Sequence, residues 1–224
     1  MALVLGCASG LAACGGESQE SVTTTGKKPV PASLRTAESA SEDIIDLALQ
    51  HDRVGVVARA KVLKAVADGP AASALRTSGV PAPQIVEFQR RAAVVARVAA
   101  EAPLLDVALA SNASFELVPG FFARYDDPVP ATVLKLDYLD FAAKLRSLQG
   151  DTRALGAAVS SLERTWGRLR PDVVAAGGEK VAPLFDAHVD AMRALVANRR
   201  PAQTQKEAQH GLDLVDEVES VYSG

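Results

Sequence analysis

The sequence predicts an all-α protein: an up-and-down bundle of about six helices, as one body or two lobes, behind a disordered N-terminal tether. Three observations lead there. Aromatic residues make up only 4% of the 224 residues, and Ala and Leu outnumber β-branched residues along most of the chain, which favours helix over sheet. Apolar residues recur at helical steps in one stretch after another. Gly and Pro then punctuate those stretches at short intervals. A hydrophobic content of 48% supplies enough apolar side chain for a core.

Taken in order, residues 1–13, MALVLGCASGLAA, carry no charge and are apolar or small, as in the h-region and cleavage site of a secretory signal. The tetrad Leu11-Ala12-Ala13-Cys14 resembles the lipobox of bacterial lipoproteins. That resemblance implies cleavage before Cys14, attachment of a diacylglycerol to its thiol and acylation, for example with palmitate, of the new N-terminus. More than one chain is needed because a single acyl chain holds a protein only marginally, at about 0.8 kcal/mol per buried methylene. Gly15 follows the cysteine, so the Asp that retains some such proteins at the inner membrane of Gram-negative bacteria is absent. Val4-Leu5-Gly6-Cys7 is a poorer version with too little chain before it. The competing reading is an apolar N-terminal helix with a stray cysteine at Cys14.

Residues 14–40 are rich in Gly, Ser, Thr and Pro and read as a lipidated, flexible tether, about 20 residues of which reach on the order of 25 Å. Helical patterning over 41–224 then defines the body. Ser41 with Glu42 and Asp43 looks like an N-cap with acids in the first turn, opening a helix to Asp68 with Ile45, Leu49, Val56, Ala60 and Leu63 on one face. Gly69-Pro70 stops it. A second helix runs from Pro83 to Glu101, and Pro103 separates it from a third that reaches Tyr125. After the loop Asp126–Pro130, the residues Leu134, Tyr138, Phe141, Leu145 and Leu148 form a bundle seam, repeated by Leu155, Val159, Leu162, Trp166 and Leu169 beyond a turn at Gly150-Asp151. Pro171 is expected to kink that helix and Gly177-Gly178 to close it. The last two helices span Glu179 to Asn198, with Phe185, His188 and Met192 on the seam, and Pro201 to Tyr222. Phe88, Pro103 and Leu117-Val118 are spaced much like Phe185, Pro201 and Leu214-Val215, a faint internal duplication. Phrases such as VPATVLKLDYLDFAAKL and LDLVDEVESVY are similar to a group of uncharacterised extracytoplasmic helical lipoproteins of bacteria, a likeness that implies an exported bundle and supplies no catalytic residue.

A net charge of −3 provides no basic field for nucleic acid. Both cysteines lie in the first fourteen residues, so the body has neither thiolate metal sites nor a cysteine nucleophile. No phosphate loop, HExxH or nucleophile elbow is present, and a catalytic role is not expected. His210, Asp213 and Glu217 share one face of the last helix at spacings that can gather around a divalent cation, with His188 as a further ligand if the two histidines meet. The alternative is a solvated acidic face around His210 and a hydrogen-bonded core histidine at position 188. Asp137 with Asp140, and Asp186 with Asp190, read as solvated faces, Trp166 as core and His51 as surface. The leading expectation is a non-enzymatic binding or interaction module, anchored in a bacterial membrane through lipid on Cys14, facing the periplasm or the surface, and engaging an envelope protein partner. A metal-binding lipoprotein is the alternative.

Overall fold

The computed structural model describes residues 26–223. Among them are ten helices: α1 (Ala32–Leu49), α2 (Arg53–Asp68), α3 (Pro70–Thr77), α4 (Ala82–Val98), α5 (Leu104–Phe115), α6 (Val118–Phe122), α7 (Ala131–Gln149), α8 (Thr152–Ala175), α9 (Val181–Ala197) and α10 (Pro201–Ser223). The described residues hold no strand, only an isolated bridge between Pro29 and Asp126. No described helix is long and apolar enough to cross a membrane. The leader and the first part of the expected tether, Cys14 included, lie outside the described residues.

Two rings of four helices make the body. In the first, α1 packs on α2, α2 on α4, α4 on α5 and α5 back on α1; in the second, α7, α8, α9 and α10 close the same circuit. The rings meet through α5 and α7. Phe141 and Leu145 of α7 and Leu212 of α10 extend into the first core beside Phe115 and Phe122, while Leu162, Trp166 and Phe185 belong to the second. The two expected lobes are thus welded by shared apolar surface.

Matching local chemistry sets the corners of the two rings. Helices α1 and α7 open alike, with Val30-Pro31-Ala32 and Val129-Pro130-Ala131, and both close on Leu-Gln, at Leu49-Gln50 and Leu148-Gln149. A residue with positive φ follows each, His51 at 62° and Gly150 at 77°. Next comes an Asp N-cap, Asp52 accepting from the Gly55 N–H and Asp151 from the Ala154 N–H, which satisfies an orphan donor of the new helix. Proline fixes φ near the helical value, so Pro31 and Pro130 start their helices at one defined residue. The spacing is identical throughout, so that Glu38 of α1 stands at the same step from its proline as Asp137 of α7, and Ser41 at the same step as Asp140.

Several expectations change. The first helix begins at Ala32, so 32–40 belong to the body, and Ser41 is no cap: it is buried in mid-helix and donates its hydroxyl to the Ala37 carbonyl. The cause is a seam built from one leucine, Leu34, and the small residues Ala37, Ala40 and Ser41, all buried, in a stretch whose Ser and Thr content resembles a linker. The predicted helix over 41–68 divides at His51, the one expected to reach Tyr125 divides into α5 and α6 ahead of Pro119, and α3 forms beyond Gly69-Pro70 where no helix was expected. Helix α8 continues through Pro171 to Ala175 and is closed by Gly177 at φ 99°.

Candidate functional site

Helices α1, α7 and α10 leave a cleft of about 230 Å³ between the two rings, lined by seven carboxylates: Glu38, Glu42 and Asp46 from α1, Asp137 from α7, and Asp213, Asp216 and Glu219 from α10. Phe141 and Leu212 line its apolar part. Burial makes a carboxylate costly to ionise, and each additional negative neighbour raises that cost. Burial first, then the charge of Glu219, pushes the Glu38 carboxyl up to about 7 despite Arg35 nearby. Burial, then Glu38 and Glu219, pushes Glu42 up to about 8. Asp137 is raised well above the usual carboxylate range by burial and then by Glu42. Burial also raises Asp46, Asp216 and Glu219, with Lys144 opposing the effect at Asp46. Several acids therefore retain protons near neutral pH.

A second polar cluster lies within the second ring. His188, on α9, is buried, and its Nδ1 is 2.9 Å from Glu207 Oε1 of α10 while its Nε2 is 3.1 Å from Asp140 Oδ1 of α7. Burial pulls the imidazole down, but the hydrogen bonds and charges of Asp140 and then Glu207 prevail and raise it. Asp140 is raised by its own burial, against the pull of His188. Its Oδ2 is buried with no hydrogen-bond partner. The His210 ring, exposed on α10, stands edge-on to His188 with centroids 6.4 Å apart. Gly211 lets the α10 backbone pass against the pair, since a Cβ there would overlap both His188 and Asp140. In the first ring the corresponding polar contact is milder, with the buried Ser111 hydroxyl donating to the Ser41 carbonyl.

The residues proposed from sequence as metal ligands separate. Asp213 lines the acidic cleft and accepts from Gln209 Nε2 at 3.0 Å. Glu217 is exposed and does not line the cleft. His188 and His210 do come together, in company with Asp140 and Glu207. As they stand, no three His, Cys, Asp or Glu side chains among the described residues are arranged to hold a metal ion. Asp137 and Asp140, expected on a solvated face, instead line the cleft and the buried cluster. Trp166 is core, donating its indole N–H to Asp186 Oδ1 at 2.7 Å and lying 4.4 Å from the Phe185 ring. Asp186 also accepts from Arg170, while Asp190 stays exposed and accepts from Arg193. His51 is exposed, as expected. Reading α1 from Ser41 concealed Glu38; the i, i+4, i+8 run of Glu38, Glu42 and Asp46 was the signal for the cleft.

Fold and site together define an all-α protein in which two fused four-helix rings carry an acidic cleft along their junction. Comparison with protein-family models, with curated proteins and with solved structures returned no match.

Proposed function

We propose that the chain is a non-enzymatic binding module of the bacterial envelope, anchored through lipid on Cys14, that receives a Lys- or Arg-bearing segment of an envelope protein in its acidic cleft. The observation that carries the binding reading is the convergence of seven carboxylates from three helices, two of them pushed up to about 7 and 8. Burial is the main cause of those rises and mutual repulsion the next; a cation placed among the acids relieves the second, so part of its binding free energy is already stored in the empty cleft. Spread around an open cleft, the acids suit ammonium or guanidinium groups on side chains better than one bare ion. The anchoring reading is supported by the Leu11–Cys14 tetrad, with the first described helix starting at Ala32.

A tetralysine peptide is expected to raise the melting temperature of the protein saturably at about pH 8 and low salt, because a ligand that binds only the folded state stabilises it. The rise should shrink with added salt and disappear in a Glu42→Gln/Asp137→Asn double variant. A flat response, or one that the double variant preserves, rejects the cleft as the binding site. Anchoring is tested separately: when the full chain is expressed in bacteria, Cys14→Ser should move it from the detergent phase to the aqueous phase on partitioning. Equal partitioning of the two proteins removes the anchor from the proposal.

A further inference from the structure

We infer that Asp140, His188 and His210 form a binding site for one divalent transition-metal ion, Zn²⁺ by the chemistry of its ligands, with Glu207 holding the His188 ring from behind. This site is distinct from the acidic cleft and does not depend on it.

Three features support the inference. His188 Nε2 and Asp140 Oδ1 are 3.1 Å apart. Two ligands at about 2.0–2.1 Å from one tetrahedral ion stand roughly 3.3 Å from each other, so this pair already has ligand spacing. On the opposite side of the ring, Nδ1 meets Glu207 Oε1 at 2.9 Å. With the proton on Nδ1 and donated to that carboxylate, Nε2 presents its lone pair toward Asp140. A carboxylate behind an imidazole in this way fixes its tautomer and strengthens it as a ligand. Third, Asp140 Oδ2 is buried and has no partner. An orphaned buried carboxylate oxygen destabilises a protein; an ion that Asp140 holds through both oxygens would satisfy it.

His210 supplies the second imidazole. Its ring is 6.4 Å from that of His188 and nearly perpendicular to it, at 86°, whereas two imidazoles on one tetrahedral ion have centres roughly 5 Å apart. A side-chain rotation closes that gap, and His210 is exposed and makes no hydrogen bond among the described residues. Two histidines and one carboxylate form a donor set that suits Zn²⁺. Binding releases the proton that otherwise lies between His188 Nε2 and Asp140, so affinity should fall as the solution is acidified.

The test uses the full chain carrying Cys7→Ser and Cys14→Ser, so that no thiol contributes, titrated with Zn²⁺ by calorimetry at about pH 7.5 and with Co²⁺ by visible absorption. The expected result is one Zn²⁺ per chain and the intense visible bands of four-coordinate cobalt. His210→Ala, at an exposed position that leaves the fold intact by circular dichroism, should weaken binding at least tenfold. Glu207→Gln should weaken it about tenfold, the usual effect of losing a carboxylate behind a ligating histidine. The cleft variant Glu42→Gln should bind Zn²⁺ as the parent does. Failure of the parent to bind one equivalent, undiminished binding by His210→Ala, or loss of binding in Glu42→Gln instead would each overturn the assignment.

Discussion

Gly211→Ala should destabilise the protein by about 3 kcal/mol or more, although alanine is the better helix former. At an exposed helical site the same exchange stabilises by roughly 1 kcal/mol, and Gly167 of α8, exposed with open space where a Cβ would lie, provides that control. At Gly211 the added methyl would overlap the His188 ring and the Asp140 carboxyl carbon, well inside van der Waals contact distance. Neither neighbour can withdraw cheaply. His188 is held on both ring nitrogens, and both it and Asp140 are buried. Overpacking of this kind costs about 1–3 kcal/mol, and separating a buried imidazolium from its carboxylate adds a cost on the order of 3–5 kcal/mol if the pair is broken outright. Urea unfolding of Gly211→Ala and Gly167→Ala side by side measures the contrast. Equal midpoints would mean that α10 moves away from the cluster without penalty.

The second large effect is a loss of stability as pH rises. A carboxyl whose value is higher in the folded state than in the unfolded chain binds more protons when folded. Its contribution is therefore fully present below the unfolded value, near 4.5, and is lost as pH climbs through the folded value. Glu38 at about 7 and Glu42 at about 8 set the window, from about pH 4.5 to just above pH 8. Asp137 and Glu219, also raised, act in the same direction. So does His188, whose raised value means that its stabilising charge is present in acid and lost in base. Arg35 of α1 and Lys144 of α7 moderate the field around the cleft, while Asp127 and Asp43 add to it. The melting temperature should thus be higher at about pH 5.5 than at about pH 8.5. Glu42→Gln, which stays neutral, should be more stable than the parent by about 2 kcal/mol at the higher pH, less than the full rise implies because water screens a half-buried carboxyl, and nearly equal to it at the lower. A parent melting temperature that is flat or rises across this range would show that solvent reaches these acids freely.

The sequence by itself determined that the protein is helical, where α4 and α7 to α10 lie, and which large apolar residues form their seams. Those features depend on interactions a few residues long: proline fixing φ at Pro130, the Asp151 cap, the left-handed turn at Gly150, and the spacing of Leu134, Phe141 and Leu145. Where the local signal was weak, the reading failed. Leu34, Ala37 and Ala40 make a seam too small to distinguish from a linker until α5 is seen packed against it. Only the tertiary structure decided what the acids and histidines do. Charge and burial act between residues far apart in the chain, and nothing near Glu42 reveals that Glu219 will face it, nor anything near Asp140 that His188 will reach it. Asp137 and Asp140 read as ordinary solvated carboxylates because their surroundings come from α1, α9 and α10, which only the closing of the two rings brings together.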